Sequence, residues 1–123
     1  MGPSRPAPVV HLELHTGAPA EAEALCADIL GWRAARVEGG ARYLALDLGG
    51  GLSGGIVGCD AAGSLWLPYV RVPSVRLATE RARRRGARVL LGPGLGPRGW
   101  RSVVATAAGA ELALWQPEAD PTT

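Results

Sequence analysis

Residues 9–16 read VVHLELHT, which sets His11, Glu13 and His15 at alternate positions in an apolar run, and these two imidazoles are the only histidines in the chain. Imidazole and carboxylate together are suited to ligating a metal or to moving a proton. In an extended strand alternate residues share a face, so the three polar groups point one way and Val10, Leu12 and Leu14 the other. Distance restricts the metal reading. At about 3.3 Å per residue, His11 and His15 stand about 13 Å apart, whereas ligands bound at about 2.0–2.2 Å must converge on one point. At most two neighbours of the three can share an ion. Any further ligand must be an Asp, Glu, Cys or Gln side chain, a backbone carbonyl or water, brought in by other strands.

The elements that would carry those strands are legible in the apolar periodicity. Val9 to His15 reads as a strand. Residues 18–30 carry Ala22, Leu25, Cys26 and Ile29 at helical spacing, with acidic residues in the first turn and Gly31 placed to end the helix. A strand over 32–37, a GG turn at 39–40 and a strand over 42–48 follow, in which Leu44, Leu46 and Leu48 alternate. GGGLSGG (49–55) reads as a glycine-rich turn leading to a short strand near Ile56. The order then restarts: a strand at 65–72, Ser74 as an N-cap, a helix over 75–86 ended by Gly86, and strands at 88–91, 100–106 and 110–116. Each half is strand, helix, three strands, the self-similarity expected of two like modules. The boundaries are an N-terminal lead at 1–8, one domain over 9–117 with modules at 9–60 and 64–117, and a tail at 118–123.

Composition excludes several classes. A chain of 123 residues with a formal charge of +2 has no basic excess that argues for nucleic acid or a membrane surface. Its basic side chains are all arginine, which fits a GC-rich genome. The opening MGPSRPAP lacks the continuous apolar core of a secretory signal, and no run approaches a membrane span, so the expected location is the cytoplasm. Cys26 and Cys59 fit no metal or redox spacing and read as two small buried thiols. GLGPRG (94–99) matches G-x-G-x-x-G, but Pro97 interrupts it and a strand follows where a helix should receive a pyrophosphate. In RARRRGAR, residues Arg81, Arg84, Arg85 and Arg88 read as the solvated face of the second helix, because no stacking aromatics are interleaved.

VVHLEL leading to a helix that ends ILGW, WLPYVRV followed by SVRLATERARRRGARVLLGP, and the closing GAELALWQP together resemble the glyoxalase/bleomycin-resistance/extradiol-dioxygenase superfamily, the vicinal oxygen chelate proteins, over residues 9 to 117. The resemblance implies an α+β fold of two βαβββ modules, whose U-shaped mixed sheets surround a cavity with the helices on the outer face. It also implies metal ligands on the first, fourth, fifth and eighth strands. Here those positions fall on His11, near Gly55 or Ile56, on Leu67 and on Ala113. Leu67 and Ala113 offer no donor, and a lone imidazole does not hold a transition metal against water. The D-P-x-G turn common before the last strand is altered to Thr106-Ala107-Ala108-Gly109.

No metal and no cofactor are therefore expected. The face of His11, Glu13 and His15 reads as a cavity wall, joined by Tyr43 and Asp47 from the third strand, Leu67, Tyr69 and Arg71 from the fifth, Trp100 opening the seventh, and Glu111, Ala113 and Trp115 from the eighth. Trp32 and Trp66 read as core or interface residues, and Trp100 and Trp115 as the aromatic ligand contacts. By resemblance, the first functional expectation is a metal-free protein of the bleomycin-resistance type that gives antibiotic self-resistance by sequestering a bulky aromatic natural product. The second is a lyase, isomerase or cyclase of secondary metabolism on the same fold, with His11 and Glu13 or Glu111 as base and orienting carboxylate. A symmetric homodimer is the expected assembly.

Overall fold

Val10, Leu12 and Leu14 at alternate positions make β1 (Val9–Thr16) a strand with one apolar face. The computed structural model describes residues 5–37, 42–60, 63–96 and 98–118. The GG turn expected at 39–40 and parts of the lead and tail lie outside these. After β1 come α1 (Pro19–Leu30), β2 (Arg33–Arg36), β3 (Tyr43–Asp47) and β4 (Ser53–Gly58), then β5 (Leu65–Arg71), α2 (Val75–Arg84), β6 (Arg88–Gly96), β7 (Gly99–Ala105) and β8 (Glu111–Gln116). The architecture is α+β, with two βαβββ modules. The chain divides into two compact units, residues 10–67 and residues 68–118 together with 5–9.

In the first unit the strand order is β2-β3-β4-β1, with β1 parallel to β4 and the other pairs antiparallel. Leu14, Leu46 and Ile56 form its core, packed by Ala22, Trp32, Ala34, Leu44 and Leu48. Full burial of a side chain such as Ile56 contributes about 1.5–3 kcal/mol. Helix α1 starts with Pro19 at its first position and stops at Gly31, whose φ of 69° is the left-handed conformation glycine adopts without a Cβ penalty. Its expected inward stripe is narrower than the periodicity implies. Only Cys26 is buried and Ala22 packs on the core, whereas Leu25 and Ile29 are 57% and 62% exposed. Small residues are what let the helix lie close to the sheet. Trp32 meets Trp66 edge to face at 6.1 Å between ring centroids.

The second unit repeats the plan in the order β5-β8-β7-β6, with β5 parallel to β8. Its core of Val75, Val104 and Leu114 is packed by Val72, Ala78, Ala82, Val89, Trp100 and Leu112. Ser74 caps α2 by accepting the Leu77 N–H, and the buried Gln116 side chain accepts the Val75 N–H, tying the helix start to β8. The buried Thr79 hydroxyl lies 2.6 Å from both the Val75 carbonyl and the Ser102 hydroxyl, so this polar trio is satisfied. Arg81, Arg83, Arg84 and Arg85 at the end of α2 are exposed, as a solvated helix face requires, whereas Arg88, expected on that helix, is exposed as the first residue of β6.

Two expected boundaries change. Ser53 to Gly55 are strand, so the glycine-rich turn is confined to residues 49–52. β6 runs on through Gly96, pairing Gly94 with Arg101 and Gly96 with Gly99, so much of GPGLGPRG is a hairpin arm. Register irregularities between Val89 and Leu91 and between Leu91 and Gly94 let the glycine-rich strand bend and still pair.

Candidate functional site

Register settles which residues meet in the first unit. His11, Glu13 and His15 stand beside Ser53, Gly55 and Val57 of β4, which in turn pair with Asp47, Ala45 and Tyr43 of β3. These residues form the face opposite the Leu14–Leu46–Ile56 core. Glu13 is buried and lies between the two imidazoles: its Oε2 is 3.0 Å from His11 Nε2 and its Oε1 is 3.0 Å from His15 Nε2. An ionised carboxylate only accepts, so both imidazoles donate. At its other nitrogen, His11 Nδ1 lies 2.7 Å from the Ser53 hydroxyl, which also reaches the Val10 carbonyl at 3.3 Å. Both nitrogens of His11 are engaged. The His15 side chain is 29% exposed and is held through Nε2, which leaves Nδ1 as its lone-pair nitrogen.

Tyr43 completes this cluster, its hydroxyl 3.5 Å from His11 Nε2. Gly55 makes that reach feasible. A Cβ built there would stand 2.6 Å from Cε1 and Cζ of the Tyr43 ring, so the ring occupies the volume that any side chain at Gly55 would need. Asp47 shares the face but is exposed, and its carboxylate accepts the Gly49 N–H at the head of the turn. It is a turn residue here.

In the second unit Arg71, Trp115 and Arg101 form one row, with Tyr69, Ala113 and Val103 as the next. Arg101 Nη1 donates to the hydroxyl of the buried Tyr69 at 3.0 Å. The Arg71 guanidinium carbon lies 5.9 Å from the centre of the Trp115 ring, and the indole N–H donates to the Arg98 carbonyl at 3.2 Å. Glu111 shares this face at the far end of β8, opposite Ala105. Trp100 does not join the row. It pairs with Gln116 and packs on the core beneath α2, because the parity of β7 turns Arg101, not Trp100, toward Trp115. Leu67 and Ala113 are buried apolar positions.

Ser53 and Arg101 were not among the residues the sequence singled out. Counting back four residues from Val57, or two from Val103, would have found them once the strand phase was known. His15, grouped with the polar face from the start, becomes one of its central members.

The donor set does not fit the metal of related folds. Among the described residues no group of three or more His, Cys, Asp or Glu side chains is placed to hold an ion. The His11 and His15 Nε2 atoms are turned onto Glu13; at the expected fourth-strand position, near Gly55 or Ile56, there is no donor side chain and the Tyr43 ring covers Gly55; and the expected fifth- and eighth-strand positions are the buried apolar Leu67 and Ala113. Cys26 is buried and Cys59 half-buried, both as free thiols.

By sequence the chain matches no protein-family model and no curated protein. By structure it is similar to methylmalonyl-CoA epimerase from Mycobacterium tuberculosis, with a TM-score of 0.68 at 17% identity over 95% of this chain and 93% of that one. A glyoxalase/bleomycin resistance protein/dioxygenase superfamily member from Vibrio splendidus 12B01 gives 0.67 at 17% identity, over 90% and 99% of the two chains. A mutant of 4-hydroxymandelate synthase from Streptomyces coelicolor gives 0.71 at 20% identity, over 94% of this chain and 40% of that one. The chain therefore shares the fold of these structures, two of which are enzymes.

Proposed function

We propose that this protein acts on a small organic molecule by acid–base chemistry that needs no metal, of the lyase, isomerase or cyclase kind. The observation that carries the reading is the Glu13 clamp. A buried carboxylate that fixes two imidazoles at 3.0 Å each sets both their tautomers and their directions. The base is His15, because its Nδ1 is the acceptor left for a substrate proton, whereas His11 is committed on both sides. Glu13 steadies the imidazolium that forms, and His11, itself in contact with Ser53, holds Glu13 in place. A positioned general base contributes about 10²–10⁴-fold to rate. Glu13, not Glu111, is the orienting carboxylate.

The reading is tested in D2O with small aryl methyl ketones as probes and proton NMR as the readout. Methyl-proton exchange above the buffer background is expected, persisting in chelator, lost in His15→Gln and reduced less by His11→Ala. A ketone that quenches tryptophan fluorescence on binding but exchanges no faster than in buffer would move the conclusion to the second reading, sequestration of an aromatic natural product for self-resistance. What favours that reading is the half-buried Trp115 indole on the polar face of the second unit. It stands second because Trp100, the other expected stacking ring, packs on the core.

The assembly proposed is a symmetric homodimer. Leu25, Ile29 and Leu30 on α1 and Leu90, Leu91 and Leu95 on β6 are each at least 43% exposed, more apolar surface than a lone chain usually leaves in water. Sedimentation is expected to give twice the 12.7 kDa chain mass at micromolar concentration, and the chain mass alone would refute the dimer.

A further inference from the structure

The row Arg71–Trp115–Arg101 is a charged patch that the acid–base chemistry does not use. Adjacent strands are about 4.8 Å apart, so the two arginine Cα atoms flank Trp115 at a mutual distance of about 10 Å. Both guanidiniums are steadied, one against the indole ring and the other on the Tyr69 hydroxyl. Among the described residues the arginine ion pairs are Arg42 with Asp60 and Arg83 with Glu80, and neither Arg71 nor Arg101 takes part in one. Glu111, the carboxylate on the same face of β8, lies four residues from Trp115, about 13 Å along the strand. Among the described residues, two guanidiniums are thus held beside an aromatic ring with neither in an ion pair. Such a pair repels itself, and a ligand that brings negative charge relieves that cost.

We infer that Arg71, Trp115 and Arg101 form a binding site for a planar aromatic carboxylate. Its carboxylate lies between the guanidiniums and its ring along the indole. Arg101 spends one donor on Tyr69 and each guanidinium carries five, so both retain donors for the anion. The pairing of a carboxylate with fixed guanidinium forks is charge-assisted and directional. An aryl ring adds the stacking that Trp115 offers, which separates this ligand class from small inorganic anions. The site stands independently of the His15 reading.

The test is calorimetric titration of the intact protein with 1-naphthoate and with 1-naphthalenemethanol, a neutral molecule with the same ring. Naphthoate is expected to bind at least about tenfold more tightly than the alcohol, the preference shrinking between about 50 and about 500 mM salt as charges are screened. Arg71→Gln and Arg101→Gln should each weaken naphthoate at least about tenfold and leave the alcohol unchanged, and Arg101→Lys should fall between wild type and Arg101→Gln. Equal binding of acid and alcohol, no binding of naphthoate by the wild type, or well-folded Gln variants with wild-type affinity would overturn the inference. The comparison of the two probes on the wild type decides the question even if a variant fails to fold.

Discussion

Glu13→Leu is expected to cost about 2–4 kcal/mol of stability, and Glu13→Gln about 1 kcal/mol, because the leucine leaves two imidazole N–H groups facing hydrocarbon while the glutamine keeps one acceptor. The carboxylate side chain is 11% exposed and those of His11 and His15 are 10% and 29% exposed, so His11 has little access to water as a substitute and His15 has some. The ordering is the informative part. Urea denaturation should show the midpoint falling further in the leucine variant than in the glutamine one, with the slope unchanged. If the acid–base reading is right, Glu13→Gln also lowers the rate of ketone exchange by more than its modest stability loss explains. Equal stabilities for the two variants would mean that the clamp contributes shape alone.

Gly99→Ala is the second large effect, expected at about 3 kcal/mol or more. Gly99 has a φ of 135°, a conformation that side chains rarely adopt, and a Cβ there would collide with the Gln116 carbonyl oxygen and approach the Glu118 nitrogen at 3.1 Å. These are backbone atoms. Relieving the contact means opening the β7–β8 ladder where Trp100 pairs with Gln116, the residue whose side chain also anchors the first N–H of α2. Strained backbone alone costs about 1–3 kcal/mol, and forcing atoms into a packed position adds about 1–3 kcal/mol more. Gly96→Ala is the control. Gly96 pairs with Gly99 in the same hairpin, but its nearest contact would be an ordinary 3.6 Å, so it should cost less than about 1 kcal/mol. Similar losses in both variants would show that the hairpin tolerates strain that its geometry forbids.

What the linear order of residues determined about this protein is what repeats at short period. The alternation in VVHLELHT places His11, Glu13 and His15 on one face and Leu12 and Leu14 on the other, because the pleat has a period of two and the apolar side must be buried. The doubled strand–helix–three-strand order follows from turn glycines and helix caps that act locally, as Ser74 and Gly31 do. Tertiary structure decided whatever depends on strand phase or on a small residue making room. The run WRSVVAT is apolar on both faces, so pairing with β8 had to choose whether Trp100 or Arg101 stands beside Trp115, and it chose Arg101. Leu25 and Ile29 repeat at helical spacing yet stay exposed, because only Ala22 and Cys26 are placed and small enough for the approach of α1 to its sheet. Gly55 carries no sign of the Tyr43 ring that covers it, and that packing, more than any motif, sets a phenol rather than a metal ligand beside His11.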